Sequence, residues 1–236
     1  MRKRLVWIVA AVVVGLAVVV TAGTYAYIHF VEGDAPPPLS LDDPPTSAGT
    51  SGAGTGDAVS GGTIAGTWVP AAGSQAGYRV KEVLFGQSAE AVGRTDKVTG
   101  KMTIDATTVT AVDLGVDMTS VKSDQDRRDN QFRGRIMETS KYPTATFHLT
   151  EPIPLASVPT DATPVDVEAT GDLTLHGVTR TVQVNLSARR NGENIEVSGS
   201  IPITFADYSI PNPSFGPART EDHGLLEVLV VFRRSG

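Results

Sequence analysis

Apolar and polar residues alternate with a period of two over residues 165–175 and again over 179–188, and the two runs meet at His176-Gly177. Alternation of this kind puts one face of a strand on a core and the other in water. A two-residue break containing glycine returns the chain as an antiparallel hairpin. The same period predicts strands over 66–69, 76–85, 111–119, 144–150, 194–205 and 225–233, with 93–104 read as two pieces around a turn near Gly100. Within 111–119, Val112, Leu114, Val116 and Met118 share one face, and Asp113, Gly115 and Asp117 share the other. Tyr78, Val80 and Phe85 fall in the 76–85 strand, and Phe147 and Leu149 face one way in 144–150. Asn191-Gly192 is a second hairpin signal, and the closing run LLEVLVVFR is apolar on both faces, as expected of a central or seam strand.

The period lapses over 123–136, SDQDRRDNQFRGRI, where charge dominates. Ser123 or Asp124 is expected to cap a short helix that runs to about Phe132, with Gly134 ending it and the Phe132 ring pinning it to the sheet. The proline-rich stretches 151–164 and 206–222 read as irregular excursions. At least eight strands with turns at short spacing make an all-β domain, either two packed sheets or a closed barrel. An eight-stranded barrel is just wide enough for a packed core or one small ligand.

The first part of the chain has a different character. Residues 1–4 are basic, and 5–31 carry no formal charge unless His29 is protonated. That length suits a single transmembrane helix, and the positive-inside rule puts the N-terminus in the cytoplasm and the domain outside. The competing reading is a cleaved signal peptide, whose apolar region is usually shorter. Residues 32–62, rich in Pro, Gly, Ser and Thr, are expected to be a disordered linker, so that 63–236 form the folded domain. These segments give a cell-membrane, single-pass topology.

Composition narrows the chemistry. The chain has no cysteine, its four histidines lack ligand spacing, and its formal net charge is −6. Disulfides, thiolate metal sites and a His-rich metal centre are excluded, and an acidic surface repels nucleic acid. No nucleophile elbow, zinc helix, phosphate loop or dinucleotide fingerprint occurs. Asp124, Asp126 and Asp129 interleave with Arg127, Arg128 and Arg133, which suits ion pairing better than a cation site. His176 and Arg180 read either as ordinary turn residues or as the rim of a cavity. Arg128 and Asp129 divide between helix solubility and a clamp that ties the helix to the barrel end. Phe132, Tyr142 and Phe147 read as core residues that a hollow barrel would also turn toward a ligand.

Several of these residues form a pattern. Trp68, Ser74 and Tyr78-Arg79-Val80 are followed by Gly100-Lys101, residues 113–119, Arg128-Asp129 with Phe132, the run YPTATF from Tyr142, and GDLTLHGVTR from Gly171. In this order they resemble the YceI-like family of bacterial lipid- or polyisoprenoid-binding proteins. The resemblance implies an extended, lipocalin-like antiparallel barrel with one short helix and an elongated apolar cavity for an isoprenoid lipid, of the quinone or polyprenyl type. It also implies homodimers as a common form and no enzymatic activity, catalytic residue, metal or cofactor other than the bound lipid. Carried onto this chain, the cavity or its rim would comprise Tyr78, Val80, Phe85, Val112, Leu114, Val116, Met118, Arg128, Asp129, Phe132, Tyr142, Phe147, His176 and Arg180. Lys81 stands where many members have a histidine. Three readings follow: a membrane-tethered lipid-binding barrel; a solidly packed barrel serving as an interaction or envelope-stress module; and an enzyme acting on an isoprenoid through His148 or His176.

Overall fold

The computed structural model describes residues 13–15, 18–19, 23, 35–42, 63–84, 86–155, 162–216 and 218–236. The described strands are β1 (Gly66–Pro70), β2 (Gln75–Leu84), β3 (Gln87–Thr95), β4 (Val98–Asp105), β5 (Thr108–Asp117) and β6 (Thr144–Leu149). They continue with β7 (Ile153–Pro154), β8 (Val165–Leu175), β9 (Val178–Asn191), β10 (Asn194–Thr204), β11 (Ala218–Thr220) and β12 (His223–Arg234). The main helix, α1 (Asp126–Gln131), runs directly into a π-helical turn, Phe132–Ile136.

All pairings are antiparallel, in the order β1-β4-β5-β6-β8-β9-β10-β12, and β12 returns to β1 to close a barrel. Closure works because β12, paired with β10 on one edge, has two partners on the other. Its C-terminal end pairs with β1, Trp68 opposite Arg234, and its N-terminal half pairs with β2, Tyr78 opposite Leu226. Where the partner changes, Ser74 bridges the gap: the Val231 N–H donates to Ser74 Oγ at 3.0 Å, and Ala71 N–H donates to Val231 O at 2.8 Å. The all-β, lipocalin-like barrel with one principal helix is therefore the observed architecture.

The β8–β9 hairpin follows the expected register, with Leu175 opposite Val178 and His176 and Gly177 at φ +50° and +75°. Two consecutive positive φ values are the turn whose twist matches paired strands. Elsewhere the boundaries differ from expectation. The turn expected near Gly100 lies at Asp96-Lys97, and β4 runs straight through Gly100, whose φ is +132°. A Cβ there would sit 2.0 Å from Asp113 O of β5, so the glycine permits close backbone approach and does not break the strand. Gly134 does not stop the helix, because the Met137 N–H donates to Phe132 O and carries the coil one wider turn onward. The 206–222 segment is only partly a surface loop: Tyr208 and Ile210 are buried, and β11 pairs with β2.

The interior holds two apolar clusters. One, beneath α1, includes Phe132, Leu175, Ile203 and Phe205; the other, at the opposite end, includes Trp68, Ile104, Val230 and Phe232. The doubly apolar pattern of β12 also has an explanation. Val228 and Val230 face inward, whereas Leu229 faces out and is covered by Leu39 and Leu41. Residues 35–42, expected to be disordered, instead lie as an extended strap on the outside of the barrel. Arg79 Nη2 donates to Pro36 O at 2.7 Å, and Arg94 Nη2 donates to Pro37 O. Two buried leucines and two charge-assisted hydrogen bonds contribute on the order of 10 kcal/mol. Ordering of the chain opposes docking, and the three prolines, whose φ is already set, lower that cost.

Candidate functional site

The strand faces turned inward do not fill the barrel. They enclose a cavity of ≈ 790 Å³, within the range of about 300–1,000 Å³ usual for small-molecule sites. Ile195, Val197, Ile201 and Ile203 of β10 all line it. Ile195 and Ile203 are eight residues apart, about 26 Å along the strand at roughly 3.3 Å per residue, so the cavity follows most of the length of β10.

The expected site residues divide into two groups. Tyr78 and Val80 of β2 line the cavity, as do Val112, Leu114 and Val116 of β5, Met118 just beyond it, Phe147 of β6, and Arg128 and Phe132 at α1. Asp129, Tyr142, His176 and Arg180 do not, and Phe85 lies outside the described residues. The His176 ring is buried against the Tyr142 ring, centroids 4.6 Å apart, with Nδ1 3.2 Å from Tyr208 O and Nε2 3.3 Å from Glu138 Oε2. Arg180 Nε donates to Asp207 O at 2.6 Å. Both residues therefore brace the β8–β9 turn against the segments beside α1. Asp129 is buried and accepts from Ser123 N–H at 2.8 Å and Ser123 Oγ–H at 2.7 Å. It stabilises the helix start from within, replacing the cap expected from Ser123 or Asp124.

Polar groups gather at the α1 end. Glu82, Gln125, Arg127, Arg128 and Gln131 line the cavity there, above hydrocarbon walls. Arg128 ties the helix to the sheet, its Nη2 3.5 Å from Glu82 Oε1 and its Nη1 bonded to Asp124. Arg135 donates to Asn212 O and Pro213 O at 3.2 and 2.9 Å, and the Arg127 guanidinium lies 5.2 Å from the Phe215 ring centroid. Helix and loop thus form one cover over this end. Beneath it, Tyr78 and Phe132 stack at 5.0 Å between centroids, 14° from parallel.

The Tyr78 ring needs glycine opposite it: a Cβ on Gly93 of β3 would be 2.4 Å from Tyr78 Cε1. Gly93→Ala is expected to push the ring from its seat and to cost about 1–3 kcal/mol, readable as a lowered urea midpoint with an unchanged slope. Burial pushes the Tyr78 phenol above its ordinary range, the Arg128 charge opposing this only in part. The neutral phenol is favoured more in the folded than in the unfolded chain. Its stabilising contribution is therefore complete below the unfolded value of about 10 and is lost as pH rises toward the folded value. Burial raises the Tyr208 phenol as well, so an alkaline difference titration should show late-ionising phenols, and Tyr78→Phe should remove the part of that step that accompanies unfolding.

The strand order, the apolar interior and the capping helix agree with a match to the YceI-like domain over residues 69–232. The chain belongs to the YceI-like family. UPF0312 proteins of Vibrio parahaemolyticus and of Vibrio cholerae are 31% and 35% identical over 50% of this chain, and the match spans 64% of each relative's length. A UPF0312 protein of Pseudomonas aeruginosa is 31% identical over 58% of this chain and 71% of its own. Among solved structures, a polyisoprenoid binding domain from Saccharophagus degradans, implicated in plant cell wall breakdown, superposes with a TM-score of 0.57 at 18% identity. That match covers 72% of this chain and 99% of the other. BcnA of Burkholderia cenocepacia superposes at 0.50 with 20% identity, covering 65% and 95%.

His148, proposed above as a catalytic group, is exposed and paired with Asp113 at 2.6 Å, and among the described residues no group of three His, Cys, Asp or Glu side chains could hold a metal ion. Membrane tethering is corrected. A span needs a continuous apolar helix of about 20 residues, and among the described residues no helix is long and apolar enough to cross a membrane. Most of the expected anchor, 5–31, and of the linker, 32–62, lies outside the described residues. The single-pass topology, the cytoplasmic N-terminus and the membrane as a partner are not carried forward. In this respect a barrel module is better supported than a tethered carrier, although its interior is hollow where that reading expected it packed.

The inward faces of β8, β9 and β10 were absent from the expected site, although Leu173, Val184 and Ile201 all line the cavity. Their signal was present in the same alternation that identified the hairpin. The small residues Ala91, Ala145 and Ala169, which leave the space open, carry no such signal.

Proposed function

We propose that this YceI-like barrel binds one long apolar molecule of the polyisoprenoid class. Its tail would lie along the barrel axis and its polar end would meet Gln125, Arg127, Arg128 and the Tyr78 hydroxyl beneath α1. The observation that carries the reading is the elongated cavity, walled by aliphatic side chains along β5, β8, β10 and β12, with Glu82, Gln125, Arg127, Arg128 and Gln131 at the α1 end and Arg189 and Arg190 at the other. Burial of hydrocarbon at about 0.8 kcal/mol per CH₂ supplies affinity without special chemistry, and the polar end sets orientation. The fold shared with the Saccharophagus polyisoprenoid binding domain supports the same ligand class.

A graded series of polyprenols titrated against the purified chain tests this. Each added five-carbon unit should strengthen binding by at least about tenfold until the tail fills the cavity, with no further gain beyond it. Affinity independent of tail length, or uptake of short polar molecules in preference, would overturn the reading.

A further inference from the structure

The outer face of β3, β2 and β12 presents a surface that the cavity does not use and that lies opposite the strap formed by residues 35–42. The strap precedes the residues matched to the family, 69–232. Its two halves are held by different chemistry. At the proline half, the guanidiniums of Arg79 and Arg94 reach the carbonyl oxygens of Pro36 and Pro37. At the other half, Leu39 and Leu41 bury against Leu229. Alternate residues on one face are what an extended chain offers, and prolines hold that conformation before binding.

The receiving side is built independently of the strap. Arg79 is buried, with Nε 2.6 Å from Glu227 Oε1 and Nη1 2.6 Å from Glu90 Oε2. Those two bonds fix the plane of its guanidinium and leave Nη2 aimed at the strap. Glu227 is also 3.4 Å from Arg94 Nη2, so both carbonyl-reading cations share one buried carboxylate. Beyond Ala35 and Pro36 the face continues as a cleft of ≈ 740 Å³ lined by Lys81, Glu90, Lys122 and Arg219. Fixed donors for backbone carbonyls, an apolar seat for alternate side chains and a charged continuation are the parts of a peptide-recognition groove.

We propose that this face is a docking groove for an extended peptide of the form Pro-Pro-Pro-Leu-x-Leu, and that residues 35–42 are its resident occupant in cis. Release of the strap opens the groove to a competing segment of the same chemistry. Tethering gives the resident segment a high effective concentration, so the intact chain resists competition and a chain with a weakened strap does not.

The test uses the full chain and a fluorescent peptide with the sequence of residues 35–42. A chain carrying Leu39→Asp and Leu41→Asp should bind the peptide at least about tenfold more tightly than the unaltered chain, and a peptide with both leucines replaced by aspartate should lose at least about tenfold. Equal binding by the two chains, or no binding by the opened chain while its thermal transition shows an intact barrel, overturns the proposal. If the double variant does not fold, Leu41→Ala serves. Excess unlabelled peptide should then speed amide exchange at residues 39–42 of that chain, and unchanged exchange overturns the proposal.

Discussion

Ala169→Phe is expected to leave the barrel folded and to weaken polyprenol binding by at least about a hundredfold, the equivalent of losing a few buried methylenes. Ala169 of β8 is 1% exposed, faces the cavity and lies opposite Val184 of β9, which also faces it. A ring at this position projects into space that the tail would occupy. In a packed interior the same change would overfill the core and cost stability, typically about 1–3 kcal/mol. Isothermal titration alongside urea denaturation separates the two cases: a filled ligand site loses affinity with little change in midpoint, and a packed core loses midpoint. Ala145→Phe, nearer α1, should act in the same way on short and long tails alike.

The largest stability effect is expected at the buried ion cluster on the outer face. Arg79→Met leaves Glu227, only 3% exposed, without its closest partner, and retains only the longer contact from Arg94. An uncompensated buried carboxylate costs about 3–5 kcal/mol, and removal of both charges costs much less. Arg79→Met combined with Glu227→Met should therefore recover a large part of the loss in denaturant titrations. A single replacement that costs under about 1 kcal/mol would show that the pair is hydrated and that the strap is held by its leucines alone.

The parts of the fold legible in the sequence are those in which local chemistry and long-range packing agree. The β8–β9 hairpin is the clearest case, because its period of two, its glycine and its histidine all suit a turn with two positive φ values. β3 was poorly legible because its inward positions, Ala89, Ala91 and Gly93, are small and give little amphipathic contrast; the glycine is there to seat Tyr78. Composition assigned residues 35–42 to a disordered linker, yet three prolines lower the entropy of ordering and two leucines find Leu229. The other side of this contact was visible in the sequence as a closing run apolar on both faces, which read as a central or seam strand.

Site residues followed the same rule. Positions on an alternating strand, such as Val112, Leu114 and Val116, reach the cavity as their period implies. His176, Arg180 and Tyr142 do not, because their surroundings come from Glu138, Asp207 and Tyr208, which are remote in sequence and brought close only by the fold. Hydropathy counting over 5–31 ran into a different limit. It registers how many apolar residues occur in a row, whereas among the described residues no helix has the length a bilayer requires.

Native mass spectrometry of the purified full chain, followed by organic extraction, tests the central claim most directly. The expected result is a discrete added mass released as a hydrocarbon-rich molecule, or stoichiometric uptake of a long polyprenol by an empty barrel, with both abolished by Ala169→Phe. A chain that carries no such mass and takes up no polyprenol while its barrel is folded would contradict it.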